Sequence, residues 1–149
     1  MSLFYSIKIA ETNQVMREEL KLVVTDYLRQ QGFKGSIPTF RRESDGSFQI
    51  LNFQFSKYGG SFAVNLSLLE PNDQFSNLPL SKQKILASRR LGSLSRHLKN
   101  KQNQDYWFKF VKGIFFPTYS YKKAAQEFIT IYSSEAEQTF KYLLGEMST

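Results

Sequence analysis

Two groups of side chains in this sequence are of types and spacings that could do chemistry. The first is a set of neutral amides with one cation. Asn52 and Gln54 alternate along one apolar-polar stretch, and Asn65 follows on the far side of a Gly59-Gly60 pair. Each amide offers donors and an acceptor, and Arg41 adds a guanidinium suited to a carboxylate or phosphate. Arg41, Asn52, Gln54, Asn65 and Arg90 are therefore the candidate ligand-binding residues. The second group is a run of bases. Lys82, Lys84, Arg89, Arg90, Arg96, Lys99 and Lys101 lie between Gln74 and Gln104, a stretch with no acidic residue. Seven of the 20 basic residues lie here, and the other 13 balance the 13 acidic ones, so this segment carries the whole net charge of +7. It forms a candidate anion-binding surface, with Tyr106 or Trp107 placed to stack on a base if exposed.

Most other chemistry is disfavoured. There is no cysteine and one histidine, His97, so thiolate catalysis, disulfides and the usual zinc sets are excluded. His97 lies in a basic, polar stretch with no acid near it in sequence, which points to solvated surface rather than acid–base work. Asp105 is better suited to capping or to an ion pair with Arg90 than to general-base duty. Glu43 and Asp45 belong to a turn. No phosphate-cradling glycine loop, nucleophile elbow or metal triad is present. The expectation is a protein without catalytic residues, cofactor or metal.

The elements that would position these groups follow from the hydrophobic pattern. Asp45-Gly46 and Gly59-Gly60 each read as a two-residue hairpin turn, which implies strands at about 37–43, 47–57 and 61–69. The first turn sets Thr39 opposite Asn52, Phe40 opposite Leu51 and Arg41 opposite Ile50. The second sets Gln54 opposite Asn65 and Phe55 opposite Val64. One face then collects Phe40, Leu51, Phe53, Phe55, Phe62, Val64, Leu66 and Leu68, and is core. The other collects Thr39, Arg41, Asn52, Gln54, Ser56, Asn65 and Ser67, with Phe48, Ile50 and Ala63 among them. An antiparallel sheet often has one wet face, so the bland alternative is a solvated surface.

Around this ribbon, Met16, Leu20, Val23, Val24, Tyr27 and Leu28 predict a helix over 14–31, capped by Thr12 or Asn13 and closed by Gly32. Residues 1–10 alternate weakly and read as a strand. Residues 71–84 read as a loop, and 85–94 fit either strand or helix. Residues 106–111 read as one buried strand, which puts Trp107 in the core. Ala125, Phe128, Ile129 and Tyr132 form one helical face, and Ser134-Glu135-Ala136-Glu137 is a capping-box pattern that starts another helix. The expectation is a single α+β domain over 1–149. It has a meander sheet of three to five antiparallel strands, one N-terminal helix, and two C-terminal helices packed on its apolar face.

The ordered features resemble the bacterial domain-of-unknown-function family 4304. The resemblance rests on Gly32-Phe33-Lys34, Phe40-Arg41-Arg42, Ile50-Leu51-Asn52-Phe53-Gln54, Val64-Asn65-Leu66, Arg90-Leu91-Gly92-Ser93-Leu94 and Asp105-Tyr106-Trp107. It spans roughly residues 15–111. The chain departs from the family pattern in having Asp-Tyr-Trp where Asp-x-Trp-Trp is expected, and a longer spacer from Lys99 to Gln104. The resemblance implies a bacterial-type, cytoplasmic protein and assigns no catalytic residue.

The N-terminus lacks the continuous apolar core of a signal peptide. No stretch approaches the roughly 18 apolar residues of a spanning helix, so no membrane partner is expected. The first functional expectation is a non-catalytic binding module whose basic surface takes an anionic partner, nucleic acid or acidic protein. The second is a small polar-ligand site or enzyme on the amide face. The third is a toxin-immunity protein, against which the positive charge argues for the case of a basic nuclease target.

Overall fold

The computed structural model describes residues 3–44, 46–70, 84–94 and 105–148. Helix α1 spans Leu3–Gln30, and eight strands follow: β1 (Lys34–Ser36), β2 (Thr39–Ser44), β3 (Ser47–Phe55), β4 (Ser61–Leu69), β5 (Ile85–Arg90), β6 (Phe108–Lys109), β7 (Val111–Lys112) and β8 (Thr118–Tyr119). A second helix, α2, spans Tyr121–Ser148. The main sheet is antiparallel in the order β1-β2-β3-β4-β5. β6 takes the part of the β4 edge that β5 leaves open, and β7 and β8 form a separate hairpin.

Both helices cover the same face of the sheet. Met16, Leu20, Val24 and Leu28 of α1, and Ala125, Phe128, Tyr132, Ala136, Phe140 and Leu143 of α2, are buried with Phe40, Leu51, Phe53, Phe62, Val64, Leu66 and Leu68. The Phe-lined core is thus as expected from the alternation. Gly32 ends α1 with φ +94°. Phe33 N–H donates to Leu28 O and Gly32 N–H to Arg29 O, each at 3.0 Å, which satisfies carbonyls at the helix end.

Four expectations need correction. Residues 3–10 are helical, not a strand, and no proline or glycine interrupts the chain before Gly32. Thr12 does not cap; its Oγ1 donates to Ile9 O inside the helix. The C-terminal region is one helix, not two. Ser133 and Ser134 hydroxyls donate back to Ile129 O and Ile131 O, and the Glu137 carboxylate is engaged with the sheet, so the capping pattern forms no break. Finally, residues 106–111 supply two short strands, β6 and β7, rather than one.

The first hairpin has the expected register, with Thr39↔Asn52, Phe40↔Leu51 and Arg41↔Ile50. The second is displaced by two residues: Asn52↔Asn65, Phe53↔Val64, Gln54↔Ala63 and Phe55↔Phe62. Its loop is four residues, 57–60, inside a close Ser56–Ser61 pair whose Ser56 N–H donates to Ser61 O at 3.0 Å. Gly59 and Gly60 both have positive φ, +78° and +80°, at the end of that loop. An even displacement leaves every side chain on its expected face.

Candidate functional site

The polar sheet face is built from alternation. Asn52 and Gln54 on β3, Asn65 and Ser67 on β4, and Ser88 and Arg90 on β5 all point away from the helices, since Asn65 pairs with both Asn52 and Arg90. Arg41 joins them through its pairing with Ile50. The amides bond largely to one another and their neighbours. Asn65 Nδ2 donates to Gln54 Oε1 at 3.0 Å, and Asn52 Nδ2 to Thr39 Oγ1 at 2.9 Å. Ser67 and Ser88 hydroxyls share a bond of 3.0 Å. An amide set satisfied in this way favours a structural ribbon over a small-molecule recognition centre.

The same face carries a group that the sequence reading placed in the core. Trp107 is half-buried and continues the outward alternation of Lys109, which sits opposite Ser61 on β4. The Arg90 guanidinium lies 5.0 Å from the Trp107 ring centroid, within cation–π range. Asp105 holds the pair from one side: its Oδ1 is 3.2 Å from Arg90 Nε, and its Oδ2 accepts from Trp107 Nε1 at 3.0 Å. The Arg90–Asp105 ion pair is thus as expected. Arg90 Nη1 is enclosed and has no hydrogen-bond partner among the described residues. Beside this cluster, Gln54, Lys57, Tyr58, Ser61, Trp107 and Lys109 line a groove of about 560 Å³ with no carboxylate in its wall among the described residues.

Of the expected anion-binding run only Lys84, Arg89 and Arg90 lie among the described residues. Neighbours in a strand face opposite sides, so Arg89 points to the helix side opposite Leu66 while Arg90 points to the polar face. Arg89 lies 4.5 Å from the Tyr142 ring centroid and donates from Nε to Ser93 Oγ. Lys84 is 3.9 Å from Glu70. Lys82, Arg96, His97, Lys99 and Lys101 lie outside the described residues. Lys57 and Lys109 were missed as site residues. The i, i+2 spacing of Trp107 and Lys109 was the available signal, hidden by reading that stretch as wholly buried.

Arg42 was also passed over, for a different reason. It shares the core side of β2 with Phe40, directly opposite Gln49. Its side chain is 8% exposed and forms a two-pronged pair with Glu137 on α2, at 2.6 and 3.1 Å. Nε and Nη2 donate to Gln49 Oε1 at 2.8 and 2.6 Å, and Nη1 to Gln31 O at 2.9 Å. Tyr132 donates to the same carboxylate at 2.9 Å. Burial first, and then the neighbouring carboxylate, hold the Tyr132 phenol well above the ordinary tyrosine range. This cluster joins the turn after α1 to β2, β3 and α2, and its donors and acceptors are spent on one another. It is a structural clasp rather than a reactive centre.

Among the described residues there is no cluster of three or more histidines, cysteines or carboxylates that could hold a metal ion. In the same set, no helix is long and apolar enough to cross a membrane. The chain belongs to the family described as Domain of unknown function (DUF4304), whose model matches residues 24–115, from the last two turns of α1 through β7. No curated protein and no solved structure gives a match.

Proposed function

We propose that this DUF4304 protein is a non-catalytic binding module that takes single-stranded nucleic acid along its polar sheet face. The observation that supports this most is Trp107, carried outward between Arg90 and Lys109 beside a groove with no carboxylate among its described lining residues. A half-exposed indole framed by cations suits a partner with flat bases and a charged backbone. Lys57 and Lys109 supply phosphate contacts, and Gln54 and Asn65 present amide groups within reach of base edges. The self-bonded amides argue against the small-ligand reading.

Fluorescence titration with a short oligonucleotide, DNA and RNA in parallel, tests the proposal. Wild type should bind with a log-affinity against log-salt slope of about −1.4, from the two lysine contacts at about −0.7 each. Trp107→Ala should weaken binding about 10- to 100-fold, following about 1–3 kcal/mol per stacked base. Asp105→Asn should strengthen it several-fold, because the carboxylate now neutralises Arg90 and would repel a phosphate. Unchanged affinity in Trp107→Ala, or a slope near zero, would sink the proposal.

A further inference from the structure

We propose that the β7–β8 hairpin tip is a surface anchor that seats Ile114, Phe115 and Phe116 in the headgroup–acyl boundary of an anionic lipid bilayer. These three consecutive side chains are 91%, 88% and 90% exposed. Single exposed apolar residues are ordinary, but three large ones together at a projecting turn mark a contact surface. The tip is held on a firm stem. Val111 pairs with Tyr119 and Lys112 with Thr118. The stem is tied to the loop between β3 and β4 by Phe110 and Val111 N–H groups, which donate to Gly60 O at 2.9 and 3.1 Å.

The surroundings of the tip indicate what occupies it. Residues 106–126 contain no acid, and Lys109, Lys112, Lys122 and Lys123 are all exposed. Tyr119 is partly exposed below the tip and stacks on Tyr121 with ring centroids 6.0 Å apart. Apolar tip, then tyrosine collar, then lysines is the order in which a bilayer changes from acyl chain to interface to anionic surface. A hollow of about 440 Å³ at the hairpin's base, lined by Lys8, Tyr58, Val111, Ile114 and Tyr119 among others, is placed for a lipid headgroup. The tip is convex, with nearly all of its side-chain surface in water, so it suits a yielding medium better than a flat protein face. The earlier expectation of no membrane partner rested on the lack of a spanning segment, and a tip three residues deep needs none.

Vesicle co-sedimentation tests this. The full chain should pellet with vesicles of phosphatidylcholine and phosphatidylglycerol, and far less with phosphatidylcholine alone. Phe115→Ser with Phe116→Ser should reduce partitioning about a hundredfold. Changing Lys112, Lys122 or Lys123 to Gln should reduce it about fivefold each. The serine pair should keep the wild-type urea midpoint, since the replaced rings are exposed. Trp107→Ala should still pellet, which separates this anchor from the nucleic-acid proposal. No pelleting of wild type with anionic vesicles would overturn the inference. So would full pelleting of the serine variant, or a concentration-dependent dimer that the serine pair abolishes while vesicle binding is absent.

Discussion

Phe62→Ala should lower the unfolding free energy by about 3–5 kcal/mol, the range for removing a fully enclosed aromatic side chain. Phe62 is fully buried on β4, between β3 and β6. Its ring stacks on Phe108 with centroids 4.9 Å apart and meets Phe53 at 5.7 Å, Phe55 at 6.1 Å and Phe110 at 6.4 Å. Few neighbours there can collapse into the space, because Phe53 and Phe108 are themselves held against Phe128. Phe62→Leu, which keeps more of the volume, should cost clearly less. Urea unfolding followed by far-ultraviolet circular dichroism measures both. An alanine variant within about 1 kcal/mol of wild type would show that this site is not the packing centre of the fold.

Arg42→Met should cost about 3 kcal/mol, nearly as much, through polar groups rather than packing. The substitution keeps an aliphatic stem of similar length but loses the guanidinium that lies over the Phe33 ring, 4.4 Å from its centroid. It removes every partner of Gln49 Oε1 supplied by β2, and leaves the Glu137 carboxylate without its cation. Glu137 is 51% exposed, so water recovers part of its loss; the buried Gln49 amide has no such recourse. Arg42→Lys should rescue little, since an ammonium cannot reach two carboxylate oxygens and an amide together.

The pH dependence separates this clasp from simple packing. Burial pushes the Glu137 carboxyl up. Hydrogen bonds from Arg42 and Tyr132, with the charges of Arg42 and Lys141, pull it down further, so it lies below its ordinary value of 4.5. A lowered folded-state value stabilises the protein above pH 4.5, and that contribution fades as pH falls through the folded-state value. The gap between wild type and Arg42→Met should therefore narrow in acid. A gap constant from pH 7 to pH 3 would exclude an electrostatic role.

Some of this architecture was readable before any coordinates. The Asp45-Gly46 turn allows one pairing, and with it the faces of β2 and β3 followed residue by residue. Gly32 marked the end of α1 correctly. The second loop was misjudged because Gly59-Gly60 suits a tight turn equally well as the end of a four-residue loop. Only cross-strand packing, with Phe55 against Phe62, decides between them. The faces survived because the error was even. The clasp was within reach too, since the correct first register already put Arg42 opposite Gln49 on the core side. A charged residue in an apolar row reads as an exception until its distant partner, Glu137, is seen.

By itself the sequence determined the class of the fold, the sorting of phenylalanines and amides onto opposite faces, and the absence of thiol chemistry. These depend on residue type and on periods of two and 3.6, which are local. Tertiary structure decided that α2 runs unbroken, that Arg89 and Arg90 part company, that Trp107 lies beside Arg90 and Lys109, and that Ile114, Phe115 and Phe116 stand in water. Each of those depends on which segments meet across long stretches of chain, and hydrophobic pattern is silent about that: it says that a side chain is apolar, not whether anything arrives to cover it.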